Sequence, residues 1–248
     1  MKLRSILAKK LHEAARLIGG VEASDSGASR HPRTCPICDF TGQFSAYGRV
    51  PRPNAKCPKF KSLERHRLLK LMYDRIDAPP ANARMLHFAP ERAVESFTRA
   101  HYSEYVTADL MRDDVDLKLN IEAIDLDTGS FDAIICSHVL EHVDDAKALS
   151  EMFRVLKPGG LAILAVPIVE GWDLTYEDPT ITDKAGRLLH FGQHDHVRQY
   201  GRDFRERVRR AGFELEEFVV DGAESVTYSL RLGDRVFLAR KPLNADAA

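Results

Sequence analysis

At 248 residues, 44% hydrophobic and 29% charged, the chain has apolar material for one α/β domain with an appendage and a substantial core. Its longest apolar run, around Leu161 to Val169, is too short to span a bilayer. Four cysteines, two of them in a C-x-x-C, do not make a disulfide framework, so a membrane-spanning helix and a disulfide scaffold are excluded and a reducing, cytoplasmic setting is expected. The net charge of −1 conceals an asymmetry: residues 1–84 hold 17 Lys and Arg against 7 Asp and Glu, a balance of +10, and the remainder is −11. A basic front end points to RNA, an anionic membrane or an acidic partner, or to attraction between the two parts.

Met1 to Gly20 places Leu3, Ile6, Leu7, Leu11, Ala14, Leu17 and Ile18 at helical spacing, with Gly19-Gly20 as a stop. This amphipathic helix suits packing on its own protein or on a dimer mate, with a membrane surface as the alternative. Val21 to Arg30 reads as a flexible linker. Cys35-Pro-Ile-Cys38 follows, then Phe40 to Gly48 as a strand pair, then Cys57-Pro-Lys-Phe60. A zinc ribbon uses two C-P-x-C knuckles because tetrahedral Zn²⁺ takes four ligands, and Phe60 stands where the fourth cysteine would be. His66, His31, Asp39 or a water could complete a zinc site on Cys35, Cys38 and Cys57. The alternative is a ribbon whose cysteines are reduced core residues. Ser62 is placed to cap a helix from Leu63 to Ile76, ahead of Pro79-Pro80.

Met85 to Ala89 reads as a first buried strand, with Pro90-Glu91 opening a helix. Tyr105 to Leu110 and Val115 to Leu119 read as the second and third strands. Ala133 to Cys136 is an apolar run short enough for a strand buried on both faces. Asp144 and Asp145 suit a helix start, and Leu149, Met152, Phe153 and Leu156 form one apolar stripe. Lys157 and Pro158-Gly159-Gly160 close that helix before a further strand from Leu161 to Ile168, making a β-α-β unit with a right-handed crossover.

F-D-x-I-I-x-x-H-V-L-E-H-V followed by R-V-L-K-P-G-G resembles the fourth strand, following helix and fifth strand of class I S-adenosylmethionine (SAM)-dependent methyltransferases of the type 11-like branch. The set C-P-x-C, S-L-E-R-H-R-L-L and L-H-F-A-P-E is similar to a bacterial methyltransferase subfamily with a zinc-ribbon-like N-terminus, over roughly Cys35 to Val220. The resemblance implies a Rossmann-like α/β fold: a seven-stranded, mostly parallel sheet with an antiparallel closing strand, plus a small N-terminal helix and ribbon-like module. The expected domains are residues 1–30 for helix and linker and 31–80 for the ribbon-like module and connecting helix. Residues 81–242 would be the methyltransferase domain and 243–248 a disordered tail. Phe213 to Val220 and Val236 to Arg240 would supply the closing pair.

The same resemblance implies SAM as cofactor and places its site. The turn usually written acid-x-G-x-G-x-G stands here as His87, Phe88, Ala89, Pro90 and Glu91, where Ala89 is still small and Glu91 could hold the methionine ammonium. Asp109, with Leu110 after it, would accept from both ribose hydroxyls. Asn120-Ile121 would contact the adenine, Asn accepting through its carbonyl oxygen. Ser137 and His138 would lie beneath the sulfonium, with structural orientation of the turn as the alternative for His138 and His142.

After the fifth strand about 35 residues leave the sheet before a helix near Arg202 to Ala211. Methyl transfer is an in-line displacement from an activated donor, so the protein supplies alignment and, for a protonated nucleophile, a base. His196 is the candidate base, oriented by Asp195 or Glu177, and Arg198 suits a substrate carboxylate or phosphate. A loop lock that merely closes the site is the alternative, and the spacing of His190, His194 and His196 could bind metal. The expected function is transfer of methyl from SAM to a small anionic molecule. The rivals are an RNA or protein methyltransferase using the basic module, and a non-catalytic SAM-binding regulator. The basic residues are not interleaved with aromatic stacking residues, which counts against nucleic acid. A homo-oligomer through the N-terminal helix remains open.

Overall fold

The computed structural model describes residues 31–48 and 50–244, so the expected N-terminal helix and linker, and the last four residues, lie outside it. Two compact units emerge, one running to Arg67 and taking in Asp221–Leu232, the other comprising Leu68–Val220 with the chain from Gly233 onward.

In the first unit β1 (Arg33–Thr34) pairs antiparallel with β2 (Thr41–Gly42), and β3 (Ser45–Tyr47) with β4 (Arg52–Lys56). Phe40 to Gly48 therefore gives one strand to each of two ribbons. The Cys35–Asp39 turn, closed by Cys38 and Asp39 amides on the Cys35 carbonyl, brings β2 back onto β1. Helix α1 spans Glu64–Tyr73. The hydroxyl of Ser62, expected to cap it, lies 3.3 Å from the Cys35 sulfur.

The second unit is built from β5 (Arg84–Phe88), α2 (Arg92–Thr98), β6 (Glu104–Asp109), β7 (Leu117–Lys118), β8 (Phe131–Ser137), α3 (Asp145–Val155) and β9 (Leu156–Ala165). After these come β10 (Tyr176–Glu177), α4 (Lys184–Phe191), β11 (Arg198–Gln199), α5 (Phe204–Arg210) and β12 (Glu214–Phe218). The segment α6 (Gly222–Thr227) precedes β13 (Val236–Arg240) and belongs to the first unit. The seven-stranded sheet runs β12-β13-β9-β8-β5-β6-β7. Pairings from β9 to β7 are parallel, whereas β13 runs antiparallel to both β9 and β12. The expected closing pair, β12 and β13, is antiparallel, and β13 is the one strand reversed against the rest. This is the expected Rossmann-like α/β architecture.

Local sequence explains the centre. Ala133 to Cys136 is flanked on both sides by strands, in register Met85↔Ala133 and Cys136↔Leu164, and is almost wholly buried. A run of β-branched and small apolar residues suits such a strand. Asp144 caps α3 by accepting from the Lys147 amide. That helix buries Ala148, Leu149, Met152 and Val155 on the sheet. It stops one residue earlier than the stripe suggested, because Leu156 already pairs with Phe131. The register then jumps to Ala133↔Leu161, so Lys157-Pro158-Gly159-Gly160 is a bulge inside β9. Lys157 anchors it on both Asp132 oxygens, and a Cβ at Gly160 would meet the Lys157 carbonyl at 2.8 Å. No helix among the described residues is long and apolar enough to cross a membrane.

Candidate functional site

Strand order reverses at β5: the chain adds β6 and β7 on one side, then crosses back to add β8 and β9 on the other. Ligands of open α/β sheets bind outside the carboxyl ends of the strands at such a switch point. Both strands there end in strained residues. Ala89 follows β5 at φ 47°, and His138 follows β8 at φ 56°. Non-glycine residues in the left-handed region cost about 1 kcal/mol or more and persist where the surroundings fix them. Ala89 is held by its amide on the Ala108 carbonyl, and His138 by its amide on the Ala165 carbonyl.

The residues assigned to a cofactor divide into three groups. Ala89, Glu91, Asp109, Asn120, Ser137 and His138 stand at the ends of strands or in the turns that follow. Asp109 Oδ1 accepts from the Met111 and Arg112 amides at 2.8 and 3.0 Å, which fixes the carboxylate, while Oδ2 accepts from no described residue. Asn120 Oδ1 accepts from the Glu122 amide, leaving one lone pair. The Ser137 hydroxyl is buried and has no partner among the described residues. Phe88 and Ile121 instead send their side chains into the hydrophobic core, and Pro90 is buried. Leu110 is exposed. His87 corrects the expectation outright. It is 1% exposed, its Nδ1 lies 2.6 Å from the Tyr105 hydroxyl, and that hydroxyl lies 2.8 Å from Thr98 Oγ1. Burial holds His87 neutral, with its pKa down at about 3. It joins β5, β6 and α2 rather than facing a ligand.

The excursion after β9 is more ordered than its sequence suggested. Asp183 caps α4 through the Ala185 and Gly186 amides, and Gly192 ends it in the left-handed conformation. Both signals were present in the sequence. Antiparallel pairing of β10 with β11 sets Glu177 opposite Arg198. Arg198 is 9% exposed. Its Nε donates to Glu177 at 2.8 Å, its Nη1 to the Leu140 and Val143 carbonyls, and its Nη2 lies 3.7 Å from Asp145. Glu177 is shared with Arg207 at 2.7 Å. Burial opposes its ionisation, but the Arg207 and Arg198 pairs prevail and hold its carboxyl below the usual range. Arg198 and Glu177 therefore form the loop lock, leaving neither a substrate clamp nor an orienting carboxylate for His196.

His196 is 3% exposed, its pKa is lowered by burial, and its Nε2 lies 2.7 Å from the Gln193 amide. His190 and His194 do not join it: His190 bonds to the Tyr176 hydroxyl and His194 is exposed. Its neighbours are Glu141 and His142, with the His142 ring centroid 4.7 Å away. Sequence spacing could not show this juxtaposition, because more than 50 residues separate the partners.

In the first unit Cys35, Cys38 and Cys57 bring their sulfurs within 4.8 Å of one another. Cys38 and Cys57 are 3.8 Å apart, and the Phe60 amide points to the Cys57 sulfur at 3.4 Å. Burial disfavours a Cys35 thiolate, but the Ser62 hydroxyl and the Ile37 and Cys38 amides outweigh it and lower its pKa. Arg67 is fully buried, its guanidinium held by the Ser62, Ala55, Tyr228 and Ser229 carbonyls. Burial brings its pKa down to about 10, against the opposing charges of Glu64, Cys35 and Cys57. Amide-to-sulfur bonds and a buried counter-cation suit a thiolate-bound metal. His66 stands outside the cluster and receives the Leu63 amide on Nδ1. Neither His31 nor Asp39 joins the three sulfurs.

Residues 80–164, about a third of the chain, match the family model described as "Methyltransferase domain". No curated protein matches the chain. Among solved structures, the [4+2]-cyclase SpnF is similar at 16% identity and a TM-score of 0.51, over 88% of this chain and 89% of that one. A Haloferax volcanii protein crystallised with the Trm112 methyltransferase activator is similar at 14% identity and a TM-score of 0.50, over 72% and 90%. At such identities the likeness establishes the fold.

Two consequences can be measured. Arg198→Ala strips the Leu140 and Val143 carbonyls and Glu177 of their donor, so urea unfolding should show a loss of about 3 kcal/mol, only partly restored by lysine. Unchanged stability would return Arg198 to the substrate side. For His87 the folded pKa lies below the unfolded value of about 6.5, so its contribution is complete above that pH and is lost as pH falls towards about 3. The stability difference between wild type and His87→Gln should therefore shift against wild type between pH 7 and 4.5. A pH-independent difference would mean that His87 is solvated.

Proposed function

We propose that this chain, which carries a methyltransferase domain of class I fold, binds SAM across the β5–β8 switch point and transfers its methyl group to a small molecule. The observation that carries the reading is Asp109 at the end of β6: its carboxylate is fixed by two amides through one oxygen and has the other free for ribose hydroxyls. Ala89, Ser137 and Asn120 suit the rest of the cofactor. Ala89 gives a close approach at the turn, the Ser137 hydroxyl lacks a partner, and Asn120 keeps an acceptor lone pair.

SAM supplies an activated methyl, and the chain's task is to hold donor and acceptor in line. An anionic acceptor rested on Arg198, whose guanidinium is occupied, so charge is no longer part of the proposal. A small acceptor is favoured over RNA because the basic residues of the front end are not interleaved with aromatic stacking residues, and of its described cations Arg52 pairs with Glu64 and Arg67 is buried. In this reading Cys35, Cys38 and Cys57 hold a structural zinc whose fourth ligand is exogenous, balanced by Arg67.

Calorimetric titration with SAM and its demethylated product tests the cofactor. Asp109→Ala should weaken both by about 10- to 100-fold, the range for hydrogen bonds to a charged group, and Asp109→Asn by less. Folded wild type that binds neither would end the methyltransferase reading. For the zinc, elemental analysis should show Cys57→Ser holding about one equivalent less than wild type, together with a lower melting temperature. Metal-free wild type that is equally stable would leave the cysteines as core residues.

A further inference from the structure

Glu141, His142 and His196 each offer one ligand atom, and the three atoms lie within 4.8 Å of one another. Two of these side chains are buried with a polar atom left over. Glu141, 1% exposed, gives one oxygen to His138 at 3.1 Å and has no partner for Oε2 among the described residues. His196, 3% exposed, likewise has none there for Nδ1. Burying a carboxylate with a single hydrogen bond is expensive unless an opposite charge meets it.

The tautomers suit a metal. His142 Nδ1 lies 3.2 Å from the Asp195 carbonyl, which can only accept, so Nδ1 carries the proton and Nε2 the lone pair. His196 Nε2 faces the Gln193 side-chain nitrogen at 2.7 Å, with the Phe191 carbonyl nearby. Turning the Gln193 amide over lets its oxygen accept from Nε2–H, which leaves Nδ1 as the bare acceptor. Ligand imidazoles are usually oriented in this way, the second ring N–H given to a carbonyl or amide oxygen.

We propose that Glu141, His142 and His196 bind a divalent transition-metal ion beside the carboxyl end of β8, through two imidazole nitrogens and one carboxylate oxygen. Bonds of about 2.1 Å bring tetrahedral or octahedral ligands to about 3.0–3.4 Å apart, so closing the site draws the three atoms inward by an ångström or so. His142 is only partly buried, so its side chain lies at the open side of the three. Three protein ligands leave coordination positions open to an exogenous donor. An oxygen of the acceptor would fill one of them and be held towards the cofactor. Metal binding stands by itself, whereas that role rests on the methyl-transfer reading.

The test is titration of full-length, chelator-stripped protein with Co²⁺, followed by visible and near-ultraviolet absorption. Thiolate-bound Co²⁺ shows intense near-ultraviolet charge transfer, and a site of nitrogen and oxygen ligands shows visible bands without it. Wild type should show both classes. His142→Ala and Glu141→Gln should each weaken the nitrogen-oxygen class by more than about tenfold and spare the charge-transfer class, with circular dichroism confirming the fold. Cys57→Ser should do the reverse. Binding confined to the charge-transfer class, or a nitrogen-oxygen class unmoved in both variants, would overturn the proposal. Loss of SAM affinity in stripped or loaded protein would bear on the methyltransferase reading alone.

Discussion

A guanidinium taken out of water must find acceptors for its N–H groups, and Arg198 finds them on two separated segments, β10 and the stretch from Leu140 to Asp145. Glu177 comes from β10, the Leu140 and Val143 carbonyls from the turn after β8, and Asp145 from the start of α3. Tyr200 adds a bond to Leu140 and one to Asp145, and Arg207 bridges Asp145 to Glu177. The lock encloses the short turn carrying Glu141 and His142, and β11 brings His196 along two residues before Arg198. Removing one member of so connected a network leaves several buried groups unpaired. Arg198 therefore acts by positioning the turn that carries Glu141 and His142.

The strands and helix of the sheet's centre were legible because burial on both faces demands uninterrupted apolar runs. The cap at Asp144 and the bulge at Pro158-Gly159-Gly160 are local chemistry. Asp109 was legible too, since its place at a strand end follows from the run before it. Side chains whose meaning lies in long-range pairing were not. Arg198 reads as a free anion clamp until Glu177 and two carbonyls arrive from 20 to 60 residues away. His87 reads as a ligand residue because it occupies a family acid's position, yet it points between β5 and β6 to Tyr105. Glu141 gave no signal, because a buried carboxylate looks the same in sequence as a solvated one.

Fold alone decides little about chemistry here. One structural neighbour is named a cyclase and another was crystallised with a methyltransferase activator, both at identities that speak only for architecture. What distinguishes this chain is a set of buried polar atoms near the carboxyl end of β8 without partners among the described residues: Ser137 Oγ, Glu141 Oε2 and His196 Nδ1. Native proteins leave few such groups unsatisfied in their interiors. Their placement beside the strained turn at His138 argues for ligands that complete them.

The two candidate metal clusters differ in the property that would sort metals between them. Cys35, Cys38 and Cys57 are soft donors with a buried cation to balance excess thiolate charge, which favours zinc held for structure. Glu141, His142 and His196 are harder and carry at most one negative charge, so a divalent ion there keeps a net positive charge. A centre of that kind still attracts an oxygen donor, whereas a three-thiolate centre is already negative. If both clusters bind metal as proposed, ligand chemistry would give the cysteine cluster a part in stability and the histidine cluster one in substrate contact.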